Sequence, residues 1–449
     1  VGALIVAAAA LAVATPSAAA LAPPEPCDLM TCVARAVERG PQVRSAESEV
    51  EAQAIARDRA AAQAGPRVLV DGSLQVWNKA LVSSFGNIPD LPFELPDTSF
   101  TVRPQVTWNL SLTVAQPLTR LWTIFEARDI AALGVDIAEL ELGVTRRRTA
   151  LEAVRAYLGV GLARELVVIT EASLAARAAD VERVDALVEA GLVDESQALR
   201  AALGVADARQ GLAEARGQLA VARSQLAAMV GAPVEPAEDA LGHGPLPALD
   251  ALDALDGARE RALAERLEVR TLAKRLGQAS GRVTVARSEL LPAVDLIASA
   301  QLANASEFQD TASLFVGLRL TWVAWDWMAS WRGVDEARAR SRSASYQMER
   351  LTDGIRLEVE AAFAGAEAAL ERFRVADAAV ALAEESYRVV RERQSARAAT
   401  AFDVLEAETT LTRTRTEARA ARARFLLARA ELTWAMGGDP AAIAAGGAW

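Results

Sequence analysis

Val106-Thr107-Trp108-Asn109-Leu110-Ser111-Leu112-Thr113-Val114 alternates without a break. Val106, Trp108, Leu110, Leu112 and Val114 are apolar; Thr107, Asn109, Ser111 and Thr113 are polar and uncharged. Successive side chains of a strand point to opposite faces, so the stretch predicts a strand with one apolar face and one hydroxyl- or amide-bearing face. Its nine residues are about what a tilted strand needs to cross the hydrocarbon core of a bilayer. Taken alone, the stretch suits the half-buried strand of a soluble sheet better. The rest of the chain reverses that preference.

Three further stretches alternate. Arg67 to Trp77 sets Val68, Val70, Leu74 and Val76 on one face, with Leu69 and Gly72 blurring the pattern. Residues 293–302 place Val294, Leu296, Ala298, Ala300 and Leu302 together, and residues 314–322 place Leu314, Val316, Leu318, Leu320 and Trp322 together, with Phe315 on the other side. Residues 78–101, with Gly86, Pro89, Pro92 and Pro96, read as a loop, and 304–310 as a short turn.

Long helical patterns flank these strands. Leu29 to Ala64 reads as a helix interrupted at Gly40-Pro41 and closed by Gly65-Pro66. Leu118 to about Ala190 contains no proline. A helix of about 70 residues rises about 105 Å and is stable only against long partners. Gly191-Leu192-Val193-Asp194-Glu195-Ser196 breaks it, with Gly suited to a helix end and Asp194 or Ser196 to the next N-cap. The return helix carries Val205, Leu212, Leu219 and Leu226 every seventh residue, and Ala208, Ala215, Ala222 and Met229 likewise. Large and small residues share one seam, which permits knobs-into-holes packing. Residues 231–250 read as a connector. The plan then recurs: a helix over 253–290, two strands, a helix from about Ser330 to Arg397, a break at 398–401, and a return helix with Val404, Leu411, Ala418, Phe425 and Leu432.

Landmarks repeat with the plan. Pro66 and Pro292 differ by 226 residues, and the ends Met229–Pro233 and Met436–Pro440 by 207. The shorter second offset fits the shorter strand–strand connection, as a true duplication should. The expected organisation is a signal peptide (1–20), a first repeat (21–240), a second repeat (241–440) and a tail (441–449).

The first twenty residues carry no charge; an apolar run over 4–13 precedes Thr15-Pro16-Ser17-Ala18-Ala19-Ala20, as in a secretory signal peptide. No other stretch has 18 consecutive apolar residues, so no membrane helix is expected. In an exported chain Cys27 and Cys32 can pair or stay free, and the residues before Cys27 are not those of a lipid-modified cysteine. A net charge of −11 disfavours nucleic acid as a partner. With one histidine, no nucleophile elbow, no phosphate-binding Gly loop and no metal-ligand cluster, neither an enzyme nor a cofactor or metal site is expected.

Aromatic residues sharpen the membrane reading. Of 22 Phe, Trp and Tyr, 13 lie within 77–125 and 308–331. Trp122, Trp325, Trp327 and Trp331 sit just past strands, while Trp108 and Trp322 lie within them. Tryptophan at the lipid–water boundary is the girdle of outer-membrane barrels. Four strands cannot close a barrel, and open edges are prohibitive in lipid. Strands must therefore be shared among copies, three of which supply about twelve strands.

The order helix, strand, strand, long helix, return helix, given twice behind a signal peptide, resembles the outer-membrane efflux protein family, the TolC-like channels. Gln116-Pro117-Leu118 after the second strand, Gly191-Leu192-Val193 at the first tip, and Asp403-Val404-Leu405-Glu406-Ala407 after the second tip carry the resemblance. It implies a mostly helical α+β fold, trimeric, with a β-barrel in the outer membrane continued by a periplasmic helical barrel. It also implies a passive duct that docks on a periplasmic adaptor and an inner-membrane pump of the RND, ABC or MFS type, with the outer-membrane lipid around its barrel.

By the same resemblance Asp403 and Glu406 form an acidic gate facing the pore, and Gly191, Leu192, Val193, Ser196, Arg397 and Thr400 mark the hairpin tips that meet the adaptor. Thr107, Asn109, Ser111 and Thr113 are expected to line the lumen. Three departures stand out. Arg397-Ala398 replaces the usual tip glycine, Val323 replaces the proline after the fourth strand, and the Arg and Tyr of the usual tip lock fall near Ala399 and Gln394. The competing reading is an exported coiled-coil scaffold without a pore; it leaves the paired strands and their Trp borders unexplained.

Overall fold

The computed structural model describes residues 25–85, 98–242, 246, 255–304, 311–396 and 398–441. The expected signal peptide, the tail beyond Ala441, and Arg397 lie outside the described residues. In chain order the elements are β1 (Glu25–Cys27), α1 (Leu29–Arg39), α2 (Pro41–Ala62), β2 (Arg67–Val76), β3 (Leu81–Phe85), β4 (Thr98–Arg103), β5 (Val106–Pro117), α3 (Leu121–Glu189) and α4 (Glu195–Val230). There follow β6 (Val234–Pro236), α5 (Leu255–Glu265), α6 (Leu267–Ser288), β7 (Ala293–Ala303), β8 (Ala312–Thr321), α7 (Ala329–Ser395) and α8 (Ala401–Ala435). Helix α3 runs 69 residues and α7 67. Among the described residues no helix is long and apolar enough to cross a membrane.

Contacts divide the chain into two units: Ser45–Val144 with Arg266–Gly354, and Val1–Arg44 with Thr145–Glu265 and Ile355–Trp449. The first holds an antiparallel sheet in the order β2-β5-β7-β8. Its register keeps faces separate. Val70, Leu112, Ala300 and Leu314 share one row, and Asp71, Ser111, Gln301 and Ser313 share the next. The stretch expected to be a loop at 78–101 instead contains the antiparallel pair β3–β4. Leu81-Val82 and Phe100-Thr101-Val102 are short β-favouring runs that the neighbouring Gly and Pro obscured. At the base of this pair the Arg103 guanidinium lies 3.7 Å over the Trp77 ring, and Trp77 Nε1 donates to Thr107 Oγ1 at 3.1 Å.

In the same unit α6 lies close to the first half of α3. Gln278 Nε2 donates to the Ile130 carbonyl at 2.9 Å, and Lys274 pairs with Asp136 at 2.7 Å. A Cβ on Gly281 would stand 2.8 Å from Ile130, so only glycine allows this approach. The helix expected over 253–290 parts at Arg266, whose ψ of 127° leaves the helical region and whose guanidinium turns onto Glu268 at 2.8 Å.

The other unit is built on the heptads. Val205, Ala208, Leu212, Ala215, Leu219 and Leu226 of α4 are buried, as are Val404, Leu411, Ala418, Phe425 and Leu432 of α8. Gly231, at φ +75°, ends α4 in the left-handed region. The expected connector at 231–250 then holds β6, which pairs in parallel with β1. Cys27 and Cys32 are joined in a disulfide within the core.

Two arginines hold β6 to α3 and α4. Arg164 Nη1 donates to the carbonyls of Pro236 (3.1 Å) and Ala237 (2.9 Å), its other Nη pairs with Glu235, and Arg223 meets Glu235 at 2.6 Å. Burial pushes the Glu235 carboxyl up, but the hydrogen bonds from Arg223 and Arg164 outweigh it and hold it below its ordinary value. A carboxyl depressed in the folded state contributes stability above its unfolded value of about 4.3, which is lost as pH falls through the folded value. We predict that acidification from pH 7 to pH 3 lowers the hydrogen-exchange protection of β1 and β6 in the wild type, measured against the intrinsic rate at each pH. Arg164→Ala should do so already at pH 7, at a cost on the order of 2–3 kcal/mol, because it leaves two carbonyls unsatisfied and Glu235 with Arg223 alone. Exchange at β6 that is the same in mutant and wild type at pH 7 contradicts this account.

Candidate functional site

The first tip closes on Gly191, at φ +67°. Leu192 N donates to the Leu187 carbonyl at 2.9 Å and Gly191 N to Val188 at 2.8 Å, a glycine C-cap that leaves Leu192 exposed. Asp194 starts α4 without a side-chain cap bond, and Ser196 Oγ reaches its carboxylate at 3.4 Å. The second tip closes differently. Ala398 N donates to the Arg393 carbonyl at 2.7 Å. Thr400 and Asp403 then form a reciprocal capping box: Asp403 N donates to Thr400 Oγ1 (3.3 Å), while Thr400 N and Oγ1 donate to Asp403 Oδ2 (2.7 and 2.8 Å).

The structure thus brings Asp403 and Glu406 together one turn apart, lining one groove with Arg393, Ser386 and Thr410. It also gives Asp403 a job in the cap. The Thr400 backbone N–H, then its hydroxyl, hold the Asp403 carboxyl below its ordinary value, so it stays ionised through neutral and mildly acid pH. Glu406 makes no comparable backbone contact through its carboxylate among the described bonds.

Above the tips lies a polar knot that heptad reading missed. Glu408 is buried at 5% exposure on α8. Its carboxylate accepts from Ser173 Oγ (2.5 Å), Arg177 Nε (2.7 Å) and Thr412 Oγ1 (2.8 Å). Arg177 also donates to the Gly204 carbonyl at 2.9 Å and to Thr409 Oγ1 at 3.1 Å. One ion pair therefore ties α3, α4 and α8. The readable signal was a glutamate between Val404 and Leu411, at the seam position where an apolar residue belongs. Nearer the tip, Arg183 Nη1 donates to Asp180 (2.9 Å) and to Gln394 Oε1 (3.1 Å), linking α3 to α7. Burial pushes the Asp180 carboxyl above its ordinary value, against the pull of Arg183 and Gln394. Asp180, Asp194, Ser196, Tyr387, Thr400 and Glu408 line a shared cavity at this end.

On the sheet, the inner strands distinguish the two faces by burial. Trp108, Leu110 and Leu112 of β5 are 43–45% exposed, whereas Thr107, Ser111 and Thr113 are half-buried and Ser299 of β7 is buried. Thr113 and Ser299 share a hydrogen bond at 3.1 Å. Side chains crowd on the concave side of a curved sheet and splay on the convex side, and on this burial difference we assign the polar face to the concave side. Asn109 lies on the same face but is exposed. The convex face leaves Val70, Leu74, Leu314, Val316, Leu318 and Leu320 uncovered at 67–77% exposure.

Beyond β8, Trp322, Trp325, Trp327 and Trp331 are all more than half exposed, and Trp325 and Trp327 meet edge to face at 6.0 Å. Trp122, past β5, is 44% exposed. Trp327 and Met328 hold φ of +54° and +66°, each costing about 1–2 kcal/mol for a residue with a Cβ. Asp326 accepts from Ser330 N at 2.8 Å and secures the start of α7 after this bend.

Glu408→Ala strands Arg177 in a buried site and should cost about 3 kcal/mol, against about 1 kcal/mol for loss of the Thr400 cap in Thr400→Ala. In denaturant titrations the Arg177→Leu/Glu408→Leu double variant should recover much of the Glu408→Ala loss. If it is as unstable as the sum of both single changes, the pair is not the unit described.

The sequence model described as "Outer membrane efflux protein" matches residues 33–232 and 258–438. A sequence search of curated proteins finds no match. Among solved structures, the CusC transmembrane channel is similar at 16% identity and TM-score 0.74, over 92% of each chain. The outer-membrane channel CmeC of Campylobacter jejuni is similar at 15% and 0.72, over 92% of this chain and 86% of its own. The open-state outer-membrane channel MtrE of Neisseria gonorrhoeae is similar at 18% and 0.71, over 92% and 89%. These structures share the fold, and the family match spans both halves of the chain: the protein belongs to the outer membrane efflux protein family.

Proposed function

We propose that three copies of the chain close one β-barrel in the outer membrane and form the passive exit duct of a tripartite efflux or type I secretion system. The observation that carries this reading is the sheet: four strands of ten to twelve residues, a largely apolar and exposed convex face, and two edges with no neighbouring strand among the described residues. Apolar patches of this extent on soluble monomers mark a missing partner or lipid. Three copies give about twelve strands, within the range of closed barrels. Thr107, Asn109, Ser111 and Thr113 then line the lumen, and Trp108 with Trp122, Trp322, Trp325, Trp327 and Trp331 sits at or near the lipid boundary. The chain's two repeats, 21–240 and 241–440, each supply two strands and one long hairpin.

The tips at Gly191, Leu192, Val193, Ser196, Arg397 and Thr400 are the proposed docking points for a periplasmic adaptor, with an RND, ABC or MFS pump behind it. The link from Arg183 to Gln394 takes the place of the usual tip lock. Asp403 and Glu406 are the proposed acidic gate; threefold repetition concentrates negative potential at a narrow axis and attracts cations. Because the cap fixes Asp403 Oδ2, Glu406 and the other oxygen of Asp403 carry the ion contact.

Two measurements test the reading. Membrane fractionation should recover the chain in the outer membrane as a heat-sensitive trimer; a soluble elongated dimer would instead favour the scaffold alternative. In planar bilayers, Asp403→Ala with Glu406→Ala should weaken block by multivalent cations by an order of magnitude or more, since removing two charges per copy takes about six from the aperture. Unchanged block removes the gate assignment.

A further inference from the structure

The groove that holds Asp403 and Glu406 continues away from the tip as one stripe on two helices. On α8, Asp403, Glu406, Thr410, Arg413, Glu417 and Arg424 follow steps of three, four and seven, and all are exposed. Val404, Leu411, Ala418 and Phe425, each one residue beyond a member of the stripe, are buried. Arg424 is the last exposed residue of α8. On α7, Arg393, Val390, Ser386 and Ala383 line the same groove. Their spacing leads on through Ala379 to Arg372, which is exposed. Both arginines stand 21 residues, three heptads, beyond the groove: Arg424 counted from Asp403, and Arg372 from Arg393. At 1.5 Å per residue that is about 32 Å. Helices α7 and α8 run antiparallel from one tip, so equal counts mean equal heights. Contacts between them agree: the Arg422 guanidinium lies 5.8 Å from the centre of the Phe373 ring, and Arg415 pairs with Glu384 at 2.7 Å.

These two arginines lack a counter-ion. Other arginines of the same helices are paired: Arg388 with Glu385 and Glu392, Arg413 with Glu417, and Arg415 with Glu384. Among the described residues, Arg372 and Arg424 take part in no ion pair or side-chain hydrogen bond. The positions three and four residues away on each helix, where a partner would stand, hold only alanine apart from Val375 and Leu427. Nearby acids are engaged elsewhere. Glu371 meets Arg374 at 3.7 Å, Glu417 holds Arg413, and Glu431 holds Arg155. Asp377, five residues from Arg372, lies off the stripe. One unpaired arginine on a surface is ordinary. Two at one height on one stripe, in a chain of net charge −11, concentrate positive charge against the sign of the whole molecule.

We propose that Arg372 and Arg424 form a basic collar inside the duct, a site for oxyanion groups, carboxylate or phosphate, on the passing cargo. The proposal rests on the reading of Asp403 and Glu406 as a gate, because a shared stripe turns all four side chains to the same side. Three copies set about six guanidinium groups at one level, and each offers a fork of donors that matches an oxyanion with two parallel hydrogen bonds. The Debye length at physiological salt is about 8 Å, so charges about 32 Å apart do not cancel. Gate and collar therefore act as separate stations. An acidic aperture alone repels anions; the collar holds them once they have passed it.

Block of single channels by citrate, added on the side of the barrel mouth in planar bilayers, tests the collar apart from the gate. Both arginines are exposed, so Arg372→Gln/Arg424→Gln leaves the buried seams intact, with the heat-sensitive trimer as the check on folding. Citrate should block the wild type, and this double variant should need at least tenfold more citrate for the same block. Arg374→Gln, off the stripe and paired with Glu371, should leave citrate block in place, as should Asp403→Ala/Glu406→Ala. Citrate block that is equal in the wild type and the double arginine variant, or absent from both, overturns the collar and spares the gate. A cation block unchanged by Asp403→Ala/Glu406→Ala removes the gate; citrate block that still falls with the arginines then places the collar in the duct without it. A wild-type chain that conducts nothing overturns both.

Discussion

Among the described residues, the backbone N–H and C=O groups along the outer edges of β2 and β8 have no strand beside them. In water that is an aggregation risk; in hydrocarbon each unsatisfied group costs several kcal/mol. The same sheet bares a convex face of valine and leucine that suits lipid and not water. Lipid satisfies the face but not the edges, so only another strand resolves both demands. This constraint makes assembly of copies a condition of the fold in a membrane, and it sets what the helices must do. Helices tied to a closed ring of strands acquire neighbours on both sides.

At the tips, stability and function compete for the same residues. Asp403 caps α8 and also belongs to the proposed gate. Its low carboxyl pKa follows from the cap, so the charge offered to the proposed aperture is a by-product of ending the loop well. Deeper in, Arg177 and Glu408 sit in a helical core that an apolar pair would hold about as well. Their value is specificity: the pair bonds to α3, α4 and α8 at once and so fixes their relative register, which alanine-rich seams leave loosely determined.

Much of this was legible in the chain. Alternation placed β2, β5, β7 and β8 within a few residues, because strands exposed to lipid on one side and to a polar lumen on the other keep the pattern clean. Heptads identified the buried faces of α4 and α8. What escaped had weak local signals. The β3–β4 pair hid beside Gly and Pro. The β1–β6 pair joins three-residue strands about two hundred positions apart, held by side chains of Arg164 and Arg223 that no local rule anticipates. The break at Arg266 falls in a sequence of ordinary helix formers. Burial of Glu408 was signalled by its seam position, but its partner on α3 was not readable without the fold.

The central claim is that the convex face of the sheet meets lipid and the concave face meets water. Single cysteines placed in turn along Val106–Val114, in native outer membranes, test it through reaction with a charged, membrane-impermeant thiol reagent. The account predicts a period of two: cysteine at 107, 109, 111 and 113 reacts, and cysteine at 106, 108, 110, 112 and 114 is protected. Uniform reactivity, or the opposite phase, would contradict it.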